Sequence, residues 1–112
     1  MQRRLLADHD VSGRAPLTIA PGDAVVVGER DTEWPAFVFV THNFGSGWVP
    51  ARYIDADGSS GTVLTAYDTT ELPAKAGAIV EIVQDDPEGG WAWCRAGDGR
   101  EGWVPHRLLD TP

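Results

Sequence analysis

Residues 102–105 read Gly-Trp-Val-Pro, and residues 47–50 read the same four residues 55 positions earlier. Each copy is followed by the pattern x-Arg-hydrophobic-x-Asp, and further matches upstream occur at shifts of 55 to 58 residues. Such small differences in shift place insertions in loops, which tolerate them. The chain of 112 residues is therefore predicted to contain two related domains, over 1–57 and 62–112, joined by a short polar linker at 56–61.

Each half contains short runs of β-branched residues bounded by glycine and polar turns, as at 24–27 and 79–83. The pair Asp98-Gly99 between two such runs predicts a β-hairpin. Thirteen glycines and eight prolines leave no stretch with a helical period of useful length. The predicted class is all-β with about five strands in each half, closed into a small barrel because closure removes exposed strand edges.

The charge balance limits the partners. Nine basic and seventeen acidic side chains give a formal net charge of −8. This charge repels the phosphates of nucleic acids and the surface of an anionic membrane, so neither is expected as a partner. Residues 1–20 lack the apolar core of a signal peptide, and no run of about 18 apolar residues occurs, so a cytoplasmic location is predicted.

No pattern in the chain indicates catalysis or a bound cofactor. The four serines stand beside glycine or in the predicted linker, and no glycine-rich loop opens a helix, so no catalytic residue is assigned. The three histidines lie in different motifs and predict no metal site. The single cysteine, Cys94, excludes an intramolecular disulfide and is expected to be a buried, unreactive thiol.

Four stretches of the second half, in this order, resemble the Src-homology-3 (SH3) family, in particular the bacterial variant form that occurs in tandem. They are residues 65–69, 71–82, 90–91 and 102–105. The first half is more diverged, with Ala7-Asp8-His9-Asp10 at the position of the family's opening motif. The resemblance implies two tandem five-stranded SH3-like barrels that form a non-enzymatic module for protein interaction. Its ligand would be an extended polyproline II segment, proline-containing or basic.

The resemblance also implies a peptide-binding groove in the second half. Its predicted members are Tyr67, Trp91, Trp103, Pro105 and Leu108, with an acidic rim formed by Glu71, Asp85, Asp86 and Glu88. On a strand Trp103 and Pro105 share one face, and both are predicted to be exposed if Val104 is in the core. The acidic rim would pair with a ligand arginine or lysine.

A second possible groove is implied in the first half. Its predicted members are His9, Trp34, Trp48, Pro50 and Tyr53, with Trp34 standing 57 residues before Trp91. Residues 1–57 carry a net charge of −3 and residues 58–112 a net charge of −5. The second half is therefore the better predicted site for a basic ligand.

Two other functions stay open beside peptide binding. The aromatic side chains are also consistent with a structural role, in which the barrels pack groove to groove or onto another subunit. Binding of a cell-wall peptide, as in secreted bacterial relatives of the fold, is a further alternative. A groove of this size buries an area at or below the low end of specific interfaces, about 1,200 Å², so a bound peptide is expected to be held weakly.

Overall fold

The computed structural model describes residues 1–11 and 15–110, and these residues form antiparallel β-sheets with two 3-10 helices and no α-helix. The strands are β1 (Gln2–Arg4), β2 (Thr18–Ile19), β3 (Ala24–Arg30), β4 (Phe37–His42), β5 (Gly45–Pro50), β6 (Ile54–Asp57), β7 (Ser60–Val63), β8 (Tyr67–Asp68), β9 (Ile79–Asp86), β10 (Trp91–Arg95) and β11 (Glu101–Pro105). The 3-10 helices are Ala51–Tyr53 and His106–Leu108. The predicted all-β class is confirmed.

The chain divides into two compact units whose boundaries differ from those predicted. The continuous unit is Ala15–Thr69, and the split unit is Met1–Arg14 together with Thr70–Pro112. The predicted domains 1–57 and 62–112 therefore do not match the units. Each half of the sequence contributes its opening segment to the unit formed mainly by the other half.

The predicted linker at 56–61 is wrong, because this stretch forms a β-hairpin. Strands β6 and β7 pair antiparallel from Ile54↔Val63 to Asp57↔Ser60. Gly58, with a φ of 61°, begins the two-residue turn between them. Such a turn requires glycine at its first central position, so a small, polar, glycine-containing stretch serves a tight turn as well as a linker.

The continuous unit contains a five-stranded sheet in the order β5-β4-β3-β7-β6, and β2 pairs separately with β8. Alternate residues of these strands point inward and form one apolar core. Its buried members are Leu17, Ile19, Val25, Val38, Val40, Val49, Ile54 and Val63. Strand β7 fits closely over this core, because a Cβ at Gly61 would lie 2.7 Å from a methyl carbon of Val27 and 2.8 Å from one of Ile54.

The split unit contains a four-stranded sheet in the order β1-β9-β10-β11. Strand β1 pairs antiparallel with β9 from Gln2↔Glu81 to Arg4↔Ile79. Leu5, only 1% exposed, enters the core of this unit and forms a β-bridge with Leu109. The buried core residues are Leu5, Leu72, Val80, Ala92, Cys94, Val104 and Leu109.

The predicted hairpin at Asp98-Gly99 is confirmed by the pairing of β10 with β11. The Gly99 amide donates to the Ala96 carbonyl at 3.0 Å, and the Ala96 amide donates to the Arg100 carbonyl at 2.8 Å. Gly99 has a φ of 92°, whereas Asp98 keeps a negative φ. The loop is therefore a turn closed by a left-handed glycine rather than the primed turn that the dipeptide suggests. No helix in the described ranges is long and apolar enough to span a membrane.

Candidate functional site

The continuous unit brings together two tyrosines from opposite ends of its sequence. The ring centroids of Tyr53 and Tyr67 lie 5.8 Å apart, and the ring planes meet at 65°. Tyr53 ends the first 3-10 helix, and Tyr67 lies on β8, where it pairs with Ile19 of β2. Both rings are half-buried. The predicted grouping of Tyr67 with Trp91 is therefore wrong, because Tyr67 belongs to the continuous unit and Trp91 to the split unit.

Arg52 adds a positive charge beside the tyrosine pair. Its guanidinium carbon lies 4.7 Å from the centroid of the Tyr53 ring, and its Nη2 donates to the Tyr53 hydroxyl at 3.4 Å. The guanidinium thus occupies the position that the resemblance gives to an asparagine side chain. A contact of a guanidinium with an aromatic face stabilises by about 0.5–1 kcal/mol at an exposed site.

Trp34 lies in the loop between β3 and β4, close in the chain to the first 3-10 helix. The Asp31 carboxylate accepts hydrogen bonds from the Glu33 amide at 2.9 Å and the Trp34 amide at 3.2 Å. The Ala51 amide, at the start of the helix, donates to the Ala36 carbonyl at 2.8 Å. These bonds place the half-buried Trp34 and its acidic neighbours at the end of the unit that carries Tyr53.

Two phenylalanines that sequence reasoning missed occupy the outer face of β4. Phe39 pairs with Trp48 across β4 and β5, with ring centroids 5.1 Å apart, and Phe37 pairs with the buried Pro50. The same pairs in the split unit are Trp93↔Trp103 and Trp91↔Pro105. Phe37 therefore corresponds to Trp91, and the predicted equivalence of Trp34 with Trp91 is wrong. A shift of 54 residues aligns both pairs, whereas the search followed identical residue types.

In the split unit Trp103 and Pro105 are not exposed, contrary to the prediction. Trp103 is only 8% exposed, and Pro105 is fully buried. Trp93 packs edge to face against Trp103, with centroids 5.4 Å apart. The Trp103 amide donates to the Thr70 carbonyl at 2.9 Å, and the Leu72 amide donates to the Trp103 carbonyl at 3.1 Å. A backbone segment thus lies along β11, so alternation along the strand does not by itself decide exposure.

The indole of Trp93 is held by Glu101. Its Nε1 donates to Glu101 Oε1 at 2.7 Å, and Arg95 Nε donates to Glu101 Oε2 at 2.9 Å. The hydrogen bond from the Trp93 indole, followed by that from Arg95, lowers the pKa of the Glu101 carboxyl. The Trp93–Trp103 pair is therefore fixed by a charged acceptor on the neighbouring strand.

His9 lies in the split unit and not with Trp34 and Trp48, as predicted. It is 7% exposed. Its Nδ1 lies 2.7 Å from the Leu72 carbonyl oxygen, and its Nε2 lies 3.2 Å from Glu71 Oε1. The imidazole centroid lies 6.0 Å from that of Trp91. His9 thus occupies the position at which the sequence predicted Tyr67.

Several acids of the predicted rim have partners inside the split unit. Asp86 is buried and accepts a hydrogen bond from the Gly89 amide at 3.0 Å. Asp85 Oδ1 lies 2.6 Å from His106 Nε2, and Glu71 contacts His9. Glu88 is exposed, and Leu108 packs against the core. The rim is thus partly occupied by internal hydrogen bonds and ion pairs.

Comparison with known proteins identifies the family of this site. Residues 64–110 match the family described as variant SH3 domain. This chain contains a variant SH3 domain. SH3 domains are non-catalytic modules of protein interaction, which agrees with the function class that the sequence indicated.

The chain is also similar to SH3 and PX domain-containing protein 2B of Mus musculus, at 30% identity, and of Homo sapiens, at 28% identity. Each match covers 94% of this chain and 13% of the relative. The chain thus spans about an eighth of the length of these relatives. No solved structure matches it.

The segment that matches the variant SH3 domain is continuous in sequence but divided in structure. Residues 64–69 belong to the continuous unit, and residues 70–110 to the split unit. Residues 1–11 take the place of the missing opening segment in the split unit. The exchange of opening segments therefore explains how a complete SH3 sequence pattern can contribute side chains to two different sites.

The same exchange reverses the charge difference that the sequence suggested. Residues 15–69 carry two arginines and seven acidic side chains, a net charge of −5. The remainder of the chain carries seven basic and ten acidic side chains, a net charge of −3. The more negative unit is thus the one that holds the tyrosine pair, whereas the prediction assigned the more negative half to Trp91.

Cys94 offers no reactive group to the SH3 domain. Its side chain is fully buried, and burial, with a smaller effect of Asp85, raises the pKa of the thiol to about 11. The thiol therefore stays protonated at neutral pH, as the sequence indicated. Within 1–11 and 15–110, no group of three or more His, Cys, Asp or Glu residues is arranged to hold a metal ion.

Proposed function

We propose that the continuous unit binds an extended, proline-containing and basic peptide of another protein through Tyr53, Tyr67 and Trp34, here called the tyrosine face. The observation that carries this proposal is the pair of half-buried rings of Tyr53 and Tyr67, 5.8 Å apart. A polyproline II segment is already extended and loses little entropy on binding. Flat aromatic rings are suited to contact its pyrrolidine rings.

The charge of the continuous unit supports a basic ligand. Its net charge is −5, and Asp31 and Glu33 lie in the loop that carries Trp34. Acidic side chains attract an arginine or lysine of the peptide and accelerate its association, with an effect that falls as salt is added. This assignment differs from the sequence prediction, which favoured the Trp91 side, because strand exchange moves Tyr67 to the other unit.

We also propose that both units are SH3-like barrels, in tandem, with their opening strands exchanged within the chain. In each unit three consecutive antiparallel strands, β3-β4-β5 or β9-β10-β11, lead into a 3-10 helix. The strand beside the first of these is β7 in one unit and β1 in the other. Both strands precede the opening motifs that the sequence comparison aligned, which supports the equivalence of the two units.

A structural role is the second candidate for the aromatic face of the split unit. Trp103 is only 8% exposed and packs against Trp93, whose indole is held by Glu101. A side chain that is already buried has little area left to offer a ligand. The cytoplasmic location and the bacterial form of the family stay predictions.

The test is a titration of the ¹⁵N-labelled chain with a proline-rich peptide that contains arginine. The expected result is a set of amide shifts centred on Tyr53 and Tyr67. Replacement Tyr67→Ala is expected to weaken binding about tenfold, which corresponds to about 1.4 kcal/mol. Phe44→Ala is the matched control, since Phe44 is 90% exposed at the tip of the β4–β5 hairpin, outside the tyrosine face.

Two outcomes contradict the proposal. Absence of shifts at millimolar peptide excludes binding by the tyrosine face. Shifts confined to the surroundings of Trp91 assign binding to the split unit instead. Equal affinity of Tyr67→Ala and the unchanged chain also contradicts a role for the ring.

A further inference from the structure

His9 is enclosed by two hydrogen-bond acceptors. Its Nδ1 lies 2.7 Å from the Leu72 carbonyl oxygen, and its Nε2 lies 3.2 Å from Glu71 Oε1. A carbonyl oxygen and a carboxylate oxygen can only accept. Both ring nitrogens must therefore carry a proton for both contacts to be hydrogen bonds, and only the positively charged imidazolium has two.

The neutral ring leaves one of these contacts unsatisfied. With the proton on Nδ1, the lone pair of Nε2 faces the Glu71 carboxylate. With the proton on Nε2, the lone pair of Nδ1 faces the Leu72 carbonyl. Because His9 is only 7% exposed, water has little access to compensate for the lost bond.

His9 is also the last ordered anchor of the N-terminal segment in the split unit. Its amide donates to the Ala74 carbonyl at 2.8 Å, and the Ala74 amide donates to the His9 carbonyl at 3.1 Å. Asp8 accepts a hydrogen bond from the Ala76 amide at 2.8 Å, and Leu5 fills the core. The imidazole thus joins residues 1–11 to the Glu71–Leu72 segment, which itself pairs with Trp103 of β11.

We propose that residues 1–11 are a proton-gated strap, locked onto the split unit by the charged form of His9 and loosened when His9 loses its proton. Release of the strap would expose the β9 edge and the core position of Leu5. The inference is independent of peptide binding by the continuous unit. It concerns the attachment of a strand, which is measured without a ligand.

The charges around His9 favour its protonated form. Burial lowers the pKa of His9, but the hydrogen bonds to Glu71 and to the Leu72 carbonyl and the charge of Glu71 outweigh it, and the charge of Arg107 opposes them weakly, so that the pKa is raised. The other charged groups near it are Asp8, which pairs with Lys75 at 3.7 Å, and three that line the same cleft, Asp10, Asp98 and Arg100.

The sign of the effect follows from this direction. A raised pKa in the folded state means that the contribution of His9 is complete below the ordinary histidine pKa of about 6.5. The contribution is lost as the pH rises through the higher pKa of the folded state. The strap is therefore held most firmly in mildly acidic solution and loosens toward alkaline pH.

His42, in the continuous unit, provides an internal contrast. Its Nδ1 accepts a hydrogen bond from the Phe44 amide at 3.3 Å, and its Nε2 donates to Asp23 at 3.0 Å. One donor and one acceptor satisfy a neutral ring, so no contact is lost on deprotonation. A histidine as closely enclosed as His9 is thus not enough. Two acceptors are required.

The test measures hydrogen exchange of backbone amides in the full chain between about pH 5.5 and about pH 8.5, with each rate corrected for its intrinsic pH dependence. The protection of the Leu5, Leu6 and His9 amides is expected to fall as the pH rises. The fall is about tenfold for each unit by which the pKa of His9 exceeds its ordinary value. Amides of β3 and β4 are expected to keep constant protection.

Two variants separate the lock from general loss of stability. In Glu71→Gln the amide group can donate to the neutral imidazole, so the strap is expected to stay protected at alkaline pH. His9→Gln is expected to remove the pH dependence altogether, and His42→Gln to leave it unchanged. Constant protection of the strap in the unchanged chain overturns the proposal. The same pH dependence in Glu71→Gln or His9→Gln as in the unchanged chain also overturns it.

Discussion

Leu5 forms an antiparallel β-bridge with Leu109, so the first and last strands of the split unit meet although almost the whole chain separates them in sequence. The Leu6 amide donates to the Leu108 carbonyl at 2.7 Å, and the Asp110 amide donates to the Arg4 carbonyl at 3.0 Å. This pairing replaces the strand that the family pattern would take from residues just before Tyr67. The split unit therefore depends on residues that the repeat assigns to the other half.

Leu5→Ala is expected to lower the free energy of unfolding by about 2–5 kcal/mol, because it leaves a cavity in the core of the split unit. Leu6→Ala is the matched control, since Leu6 is 60% exposed and its backbone hydrogen bond does not involve the side chain. Its effect is expected to stay within about 0.5 kcal/mol. Urea unfolding of both variants measures the difference, and equal midpoints would show that Leu5 is not a core residue.

Fragments test the boundaries directly. A fragment of residues 15–69 contains every strand of the continuous unit, from β2 to β8, and is expected to fold alone. A fragment of residues 62–112 lacks β1 and Leu5 and is expected to stay unfolded. Amide proton spectra distinguish the two cases by their dispersion. A well-dispersed spectrum and a cooperative thermal transition for 62–112 would support the domains that the repeat suggested.

Gly102→Ala is expected to destabilise the chain by about 1–3 kcal/mol through overpacking. A Cβ at this position would lie 2.6 Å from the Leu72 amide nitrogen and 2.7 Å from the Glu71 carbonyl carbon, and backbone atoms cannot move aside easily. Gly97→Ala is the control, since nothing lies within 4 Å of its Cβ position. Thermal unfolding of both variants gives the comparison. A melting temperature for Gly102→Ala as high as that of the control contradicts the close approach of residues 71–72 to β11.

Acid titration of the Trp93 indole tests the role of Glu101. The hydrogen bonds from Trp93 and Arg95 lower the pKa of this carboxyl, so their stabilising effect is present above the ordinary Glu pKa of about 4.3. It is lost as the pH falls through the lowered value. The Nε1 proton resonance of Trp93 is expected to move with a midpoint below that of an ordinary Glu, and Glu101→Gln to abolish this step. A midpoint at the ordinary value indicates that the bond is absent in solution.

Much of the local structure could be predicted from the residues themselves. The β-branched run at 79–83 lies in β9, and Val104 and Cys94 are buried as expected. The exposure of Trp103 and Pro105 could not be predicted from alternation along β11. Their burial depends on contacts distant in sequence, in particular the approach of Thr70 and Leu72 to Trp103.

The aromatic face of β4 shows a different limit. Phe37 and Phe39 take the places of Trp91 and Trp93, but a search for identical residues passes over them. The register of a hairpin sets which side chains are opposite each other, and the β10–β11 loop is one residue longer than the β4–β5 loop. The shift between the two copies therefore changes within the hairpin.

The sequence by itself determined the all-β class, the repeated Gly-Trp-Val-Pro motif, the Asp98-Gly99 hairpin and the SH3 resemblance, because each depends on neighbouring residues. Only the tertiary structure decided which opening segment completes which unit. Residues 1–11 and 60–69 are equivalent segments of two similar domains, so exchanging them preserves every local pattern. Their partners are chosen by long-range packing, which places Tyr67 beside Tyr53 and His9 beside Trp91.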